Sequence, residues 1–271
     1  MFNFGFYNSI RPKPIWMLGG GGAPWTPADI ATDAWYDASD TSPTNIIQSG
    51  GLVSQLTDKG STGTEHLVQS TGSSQMSTGL QTMNSLNTLS STAVNKFMEH
   101  LTFPVPASGN FSITFSARID GQSFGFTPSL VSMDADSHDW QLQSVDNYVF
   151  LGSLSSANIG STDALTGGPF TGPDIWTVTF DFDGGVKKTY VNGIETSSGT
   201  YTAKVASSQI FRLFANRAPS AYIFGLFGEM VINEDCTVDC RQKIEGYLAW
   251  KWGMVANLPI GHPYKTNPPT V

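Results

Sequence analysis

The chain has 271 residues and a net charge of −8, and only 13% of its residues are charged, against about 25% in an average globular protein. With 39% hydrophobic and 12% aromatic residues it can bury a core, which excludes intrinsic disorder; its 14 Lys and Arg form no run long enough to track a phosphate backbone, which argues against nucleic-acid binding. The 30 serines, 27 threonines and 28 glycines favour sheet and turn over a helix bundle, and no apolar stretch approaches the ~18 residues needed to span a bilayer.

Residues 1–24 carry Phe2, Phe4, Phe6, Tyr7, Ile10, Ile15, Trp16 and Leu18, then Gly19 to Gly22. Phe2, Phe4 and Phe6 alternate with Asn3 and Gly5, the period of a strand, so the segment reads as an extended arm able to add to a sheet edge. Pro12 and Pro14 favour extension, and the glycines make a joint. Eight large apolar side chains within 18 residues are costly to leave in water. Phe2, Phe4, Phe6, Tyr7, Ile10 and Trp16 are therefore the predicted partner-docking residues. The first 22 residues lack the basic start and apolar run of a secretory signal.

From residue 25 to about 235 the pattern is one of short strands. Gln69 to Thr92, rich in Ser, Thr and Gly, predicts loops and short strands. Phe111, Ile113, Phe115, Ala117 and Ile119 alternate with Ser112, Thr114, Ser116 and Arg118, and Trp176, Val178, Phe180 and Phe182 alternate with Thr177, Thr179 and Asp181. This phase places the aromatic set in a core and the hydroxyls on an outer surface, which predicts a neutral, hydroxyl-covered sandwich. Asp183-Gly184-Gly185 and Asn192-Gly193 punctuate a hairpin around Lys187 to Val191. Ile210 to Phe214 and Tyr222 to Ile232 are nearly continuous apolar runs, the mark of strands covered on both faces.

The period then changes. Thr237 is a predicted N-cap, Asp239 lies in the first turn, and Ile244, Tyr247, Leu248 and Trp252 recur at helical spacing, so one helix is predicted over about 238–252, ending at Gly253. Trp250 and Trp252 cannot share one helix face; one is expected beneath the helix and the other against the LPIGHPY tail, the whole section closing an open end of the sandwich. Four prolines, Pro259, Pro263, Pro268 and Pro269, forbid much regular structure beyond it. Cys236 and Cys240 cannot build a disulfide framework or a zinc site alone; they read as small buried residues whose bridging would strain the first helical turn.

Candidate chemistry is sparse. His66, His100 and His138 lie in polar loop sequence and His262 in the tail, so no histidine marks a catalytic triad. Asp134, Asp136 and Asp139 form an acidic loop with oxygen ligands near alternate positions, a weak calcium candidate that reads better as a solvated turn. No other metal or cofactor is expected. Trp140, Tyr148 and Asn147 lie near loops and are the candidate glycan-binding residues, whereas the phase of Trp176 places it in the core.

KIEGYLAWKWG (243–253), LPIGHPY (258–264) and Asn267-Pro268-Pro269 resemble the end of concanavalin A-like (laminin-G-like) jelly-roll domains. Matching elements upstream are WTPADIATDAWYDASD (25–40), LTDKGSTG (56–63), the hairpin over 174–193 and GLFGEMVINED (225–235). The resemblance covers about 25–271 and excludes the arm. It implies an all-β concanavalin A-like jelly-roll sandwich with one C-terminal helix, here preceded by an extended N-terminal arm. Such domains recur in bacteriophage structural proteins and in some bacterial surface proteins. The expected role is thus a bacteriophage virion structural protein, a capsid decoration or tail-associated component docked through its arm to other virion proteins, as a homo-oligomer or in a symmetric multi-copy assembly. The alternative is a glycan-binding module, as a host receptor-binding tail-fibre domain or a bacterial surface lectin. Family members that hydrolyse glycans carry two carboxylates two residues apart on one strand. The nearest match is Glu229 with Glu234 and Asp235, but Val231 and Asn233 occupy the two-apart positions after Glu229, so no enzyme is expected.

Overall fold

The computed structural model describes residues 23–106, 108–122, 129–134, 140–145, 148–152, 163–165, 172–200, 207–216, 222–234 and 236–271. The predicted docking residues Phe2, Phe4, Phe6, Tyr7, Ile10 and Trp16 lie outside these residues, as do Asp136, Asp139 and Asn147. In chain order the strands are β1 (Ala34–Asp37), β2 (Ile46–Ser49), β3 (Leu52–Leu56), β4 (Leu67–Val68), β5 (Ser77–Met83), β6 (Leu86–Ser91), β7 (Met98–Val105), β8 (Asn110–Gln122) and β9 (Ser129–Asp134). They continue with β10 (Trp140–Val145), β11 (Tyr148–Gly152), β12 (Asp163–Leu165), β13 (Pro173–Asp181), β14 (Val186–Val191), β15 (Ile194–Thr200), β16 (Ser207–Leu213) and β17 (Ile223–Glu234), and helix α1 (Val238–Lys251) follows.

Strands β15, β14, β13, β8 and β17 lie side by side, and β17 carries β6 along its first half and β1 along its second. The facing layer runs β4, β7, β16, β9, β10, β11, β12. Strands β6, β5 and β3 turn the corner to β4, so one sheet curls into two layers. This is an all-β jelly-roll sandwich with one helix near its C-terminus.

The alternation in β8 and β13 sets the core. Phe111, Ile113 and Phe115 join Trp176, Val178 and Phe180 inside, against Met98 and Phe103 of β7, Val131 and Met133 of β9, and Phe211 and Leu213 of β16. Both predicted turns hold: Asn192 and Gly193 have φ of 52° and 80°, the mirror-image turn that matches strand twist, and Gly184 N–H donates to Asp181 Oδ1 at 2.7 Å. The β5–β6 hairpin turns likewise on Asn84 and Ser85, both at positive φ.

Helix α1 begins and ends close to its predicted limits. Thr237 Oγ1 accepts the Cys240 N–H at 3.2 Å, and Gly253 follows at φ 74°. Trp252 is buried beneath the helix, and Trp250 Nε1 donates to the Tyr264 carbonyl at 2.8 Å, holding the tail.

The helix covers a face of the sandwich and not an open end. Trp35, Ile175, Leu226 and Val231 from the outer side of the first layer pack against Ile244, Tyr247, Leu248 and Trp252. The predicted hydroxyl surface is corrected accordingly: Ser112, Thr114, Ser116 and Thr177 are buried beneath α1. Their small side chains let the helix approach the sheet, where larger residues would hold it off. The chain returns to its start, for Trp25 N–H donates to the Pro269 carbonyl at 3.1 Å and Val271 N–H to the Ala23 carbonyl at 3.1 Å. The first described residue, Ala23, therefore stands beside the C-terminus.

Candidate functional site

Two groups of charges lie in the interface between α1 and the sheet. Glu229 on β17 pairs in register with Asp37 on β1, which sets two carboxylates side by side. Trp35 Nε1 (2.7 Å) and Tyr247 OH (2.9 Å) donate to Glu229 Oε1, and Trp252 Nε1 (3.0 Å) donates to Oε2. Lys251 Nζ lies 2.6 Å from Glu229 Oε2 and 2.9 Å from Asp37 Oδ2. Asp37 also meets Lys59 at 3.5 Å, and Lys59 reaches Asp40 at 2.9 Å. The signs alternate from Glu229, which is fully buried, through Lys251, Asp37 and Lys59 to Asp40 at the surface.

Burial pushes the Glu229 carboxyl up and Asp37 adds to the rise, which Lys251 only partly opposes. At Asp37 burial acts upward too, but Lys251 and Lys59 outweigh it and hold that carboxyl below its usual range. Burial would lower the Lys251 ammonium, but Glu229 and Asp37 outweigh it and raise it. With every group of the cluster engaged by protein partners and Glu229 closed to solvent, this network locks the helix to the sheet and presents nothing to a substrate.

The second group is buried as well, and a cleft lies beside it. Arg241 Nη1 contacts both oxygens of Glu245, at 2.7 and 2.8 Å, and the guanidinium stacks 3.9 Å from the centre of the Tyr190 ring. Glu245, fully buried, also accepts from Thr177 Oγ1 at 3.1 Å and faces His262 Nε2 at 3.3 Å, which ties the tail histidine into the interface. Beyond Tyr190, where only the first turns of α1 overlie the strands, a cleft of about 420 Å³ opens between helix and sheet. Register places Asn110 beside Asp181 and Thr179 beside Lys188, and these four side chains join Tyr190 and Arg241 in its lining. Lys188 Nζ and Tyr190 OH both engage Glu195, at 3.0 and 3.3 Å. Burial raises the Tyr190 phenol, against the opposing pull of Arg241 and Lys188, so its hydroxyl stays a donor. The Asn110 amide, the Asp181 carboxylate and the Lys188 ammonium around the open cleft suit the hydroxyls of a polar ligand, while the buried Tyr190 ring under Arg241 forms its wall.

Other predicted positions fare differently. The backbones of Trp140 and Tyr148 open strands β10 and β11, Trp140 opposite Met133 and Tyr148 opposite Val145; their side chains and that of Asp134 fall outside the description. His100 stands in β7 and not in a loop, its Nε2 3.1 Å from Glu65. Glu229 is buried and Glu234 exposed, so these two carboxylates form no surface pair, and Asp235 lies outside the described residues. Sequence reasoning missed the cleft and the charge chain. One signal for the latter was present: Glu229 stands alone among charges in the apolar run Tyr222–Ile232, which calls for a buried counter-ion.

No family model matches the chain, and no curated protein matches it. Among solved structures it is similar to domain 4 of AbnA, a GH43 extracellular arabinanase from Geobacillus stearothermophilus solved with arabinotriose. That match has 19% identity and a TM-score of 0.50, and covers 75% of this chain and 92% of that one. The binding domain of botulinum neurotoxin DC, in complex with rat synaptotagmin II, matches at 12% identity and TM-score 0.50, over 75% of this chain and 48% of that one. Trypanosoma rangeli sialidase with 2,3-difluorosialic acid matches at 11% identity and TM-score 0.50, over 78% of this chain but only 31% of the sialidase. The shared feature is the jelly-roll β-sandwich. At these identities the likeness is one of fold.

Proposed function

We propose that the chain is a non-catalytic carbohydrate-binding module whose ligand enters the cleft between the start of α1 and strands β13 and β14. The observation that carries this reading is the cleft's lining, with the Tyr190–Arg241 stack bordered by Asn110, Asp181 and Lys188. The sandwich likeness to a domain solved with arabinotriose supports it. The burial of Glu229 favours binding over hydrolysis, since a buried, fully engaged carboxylate can neither protonate nor attack a glycosidic bond.

The test is a glycan array followed by titration calorimetry on the best ligand. Asn110→Ala and Lys188→Ala remove solvent-facing hydrogen-bonding groups, and each is expected to weaken binding about tenfold. Tyr190→Ala is expected to abolish it. Trp140→Ala and Tyr148→Ala serve as the competing location. Binding that survives all three cleft substitutions overturns the assignment, and the absence of any bound glycan overturns the reading.

A second reading, attachment to a bacteriophage virion or to a bacterial cell surface through residues 1–24, rests on the eight large apolar side chains of that segment. It is compatible with the first, because an attached sandwich can present its cleft outward.

A further inference from the structure

The loop over residues 57–66, between β3 and β4, lies beside β1 in the place of a strand. β17 pairs along one edge of β1. Along the other, Trp35 N–H donates to Asp58 Oδ1 at 2.8 Å and Lys59 N–H donates to the Trp35 carbonyl at 2.7 Å. Just before the strand, Ser61 N–H donates to the Thr32 carbonyl at 3.0 Å. The buried Asp58 holds this loop together. Its Oδ1 also accepts the Gly60 N–H at 2.7 Å, and its Oδ2 accepts the Glu65 N–H at 3.2 Å. Its own N–H donates to Nδ1 of the half-buried His66 at 3.2 Å.

A second histidine meets the end of the loop. His100 on β7 accepts the Thr102 N–H on Nδ1 at 3.2 Å, and its Nε2 lies 3.1 Å from Glu65 Oε2. The Glu65 carbonyl accepts from Tyr36 OH, which fixes that residue to β1. Each imidazole thus uses Nδ1 as an acceptor, which is open to it only while that nitrogen is bare, so each ring is neutral with its hydrogen on Nε2. The other titratable groups around the two rings are engaged. Lys59 pairs with Asp37 and Asp40, and Glu99, next to His100 on β7, pairs with Arg212 of β16 at 3.0 Å. Burial, with Asp58 and Glu65, holds the Tyr36 phenol up, so it stays a donor.

We propose that the 57–66 loop is an acid-released clasp over the outer edge of β1, with His66 as its trigger and His100 as a second hold. A proton taken from solvent by His66 enters at Nδ1, the bare ring nitrogen, and turns an acceptor into a donor. The Asp58 N–H then faces another N–H and loses its partner. The Asp58 carboxylate can pair with the imidazolium only by giving up the N–H of Trp35, Gly60 or Glu65, so either course opens the loop. At His100, burial holds the ring below the ordinary histidine range against the pull of Glu65, and His66 acts with burial. Its contribution is therefore whole above the ordinary value of about 6.5 and is lost as pH falls through the folded value. The clasp is closed at neutral pH and opens toward acid, leaving the Trp35 N–H and carbonyl without their loop partners.

The full chain is exchanged into heavy water at about pH 7.5 and about pH 5.5, which bracket the ordinary histidine range. Rates are corrected for the intrinsic effect of pH and read by NMR at the amides of Trp35 and residues 58–66. Their protection is expected to fall about tenfold at the lower pH, the equivalent of one hydrogen bond, while Phe115 and Val178 in the core strands keep theirs. His66→Gln carries a side-chain oxygen that does not titrate, so its protection should be the same at both pH values, whatever its level. The ring-nitrogen shifts of His66 should show a bare Nδ1 at the higher pH and titrate with the midpoint of the exchange. Unchanged protection in the wild type, a loss that persists in His66→Gln, an equal loss at Phe115 and Val178, or an Nδ1 already protonated at the higher pH would each overturn the proposal. The readout is confined to this loop, so it is independent of whether the cleft takes a carbohydrate.

Discussion

Replacing Lys251 with Met keeps most of the volume beneath α1 but removes the one ammonium that lies between Glu229 and Asp37, at 2.6 and 2.9 Å. Both carboxylates lose their shared counter-ion while they remain buried and opposed in register. Breaking a buried ion pair by deleting one partner costs about 3–5 kcal/mol, and for a chain of this length that corresponds to a fall in Tm on the order of 10 °C. The pH dependence has a definite sign. In the wild type the Glu229 pKa is raised, so its contribution is greatest at low pH and lost as pH rises through the folded value; Asp37 is depressed, so its contribution is lost as pH falls through its folded value. Without Lys251 one carboxyl of the pair takes up a proton more readily, so the deficit of the variant should shrink toward acid pH. The assay is urea denaturation followed by tryptophan fluorescence, since Trp35 and Trp252 both donate to Glu229. Adding Glu229→Gln to Lys251→Met removes one of the two opposed charges and should recover part of the loss. A single substitution costing under about 1 kcal/mol, or a double variant whose loss equals the sum of the two singles, would refute the lock.

Two further outcomes are expected. Ala ordinarily stabilises a helix interior by about 1 kcal/mol relative to Gly, but a Cβ at Gly246 would stand 2.5 Å from Tyr264 Cβ and 2.8 Å from its Cγ, so Gly246→Ala should lower Tm and release the tail, seen as faster cleavage after residue 255 by a nonspecific protease. Deleting residues 1–18 should leave the thermal transition of the sandwich unchanged while abolishing incorporation into particles; normal incorporation of the truncated chain would exclude docking through the arm.

Much of the fold was legible because it depends on local rules. The alternation of Phe111 to Ala117 and of Trp176 to Phe180 fixed the core side of β8 and β13, Asn192-Gly193 fixed a hairpin, and Thr237 and Gly253 bracketed α1. The candidate site was not legible, because its residues come from distant parts of the chain. Asn110, Asp181, Lys188, Tyr190 and Arg241 meet only through strand register and the seating of the helix. Lys251 reads in sequence as an ordinary cation in the last helical turn, yet it is buried against carboxylates contributed by β1 and β17.

The low charge and the abundance of hydroxyls show the same division. The sequence by itself determined that the chain is all-β, that the aromatic residues of β8 and β13 take one side of their strands, and that Ser112, Thr114 and Thr177 take the other. Alternation reports on which side a residue lies but not on what covers that side. Only the tertiary structure decided that α1 lies over it, so that these hydroxyls are buried and an interface stands where a solvated surface was expected. The few charges of the chain follow from the same packing: several are spent beneath the helix, where Glu229, Lys251 and Asp37 neutralise one another and Arg241 does the same for Glu245.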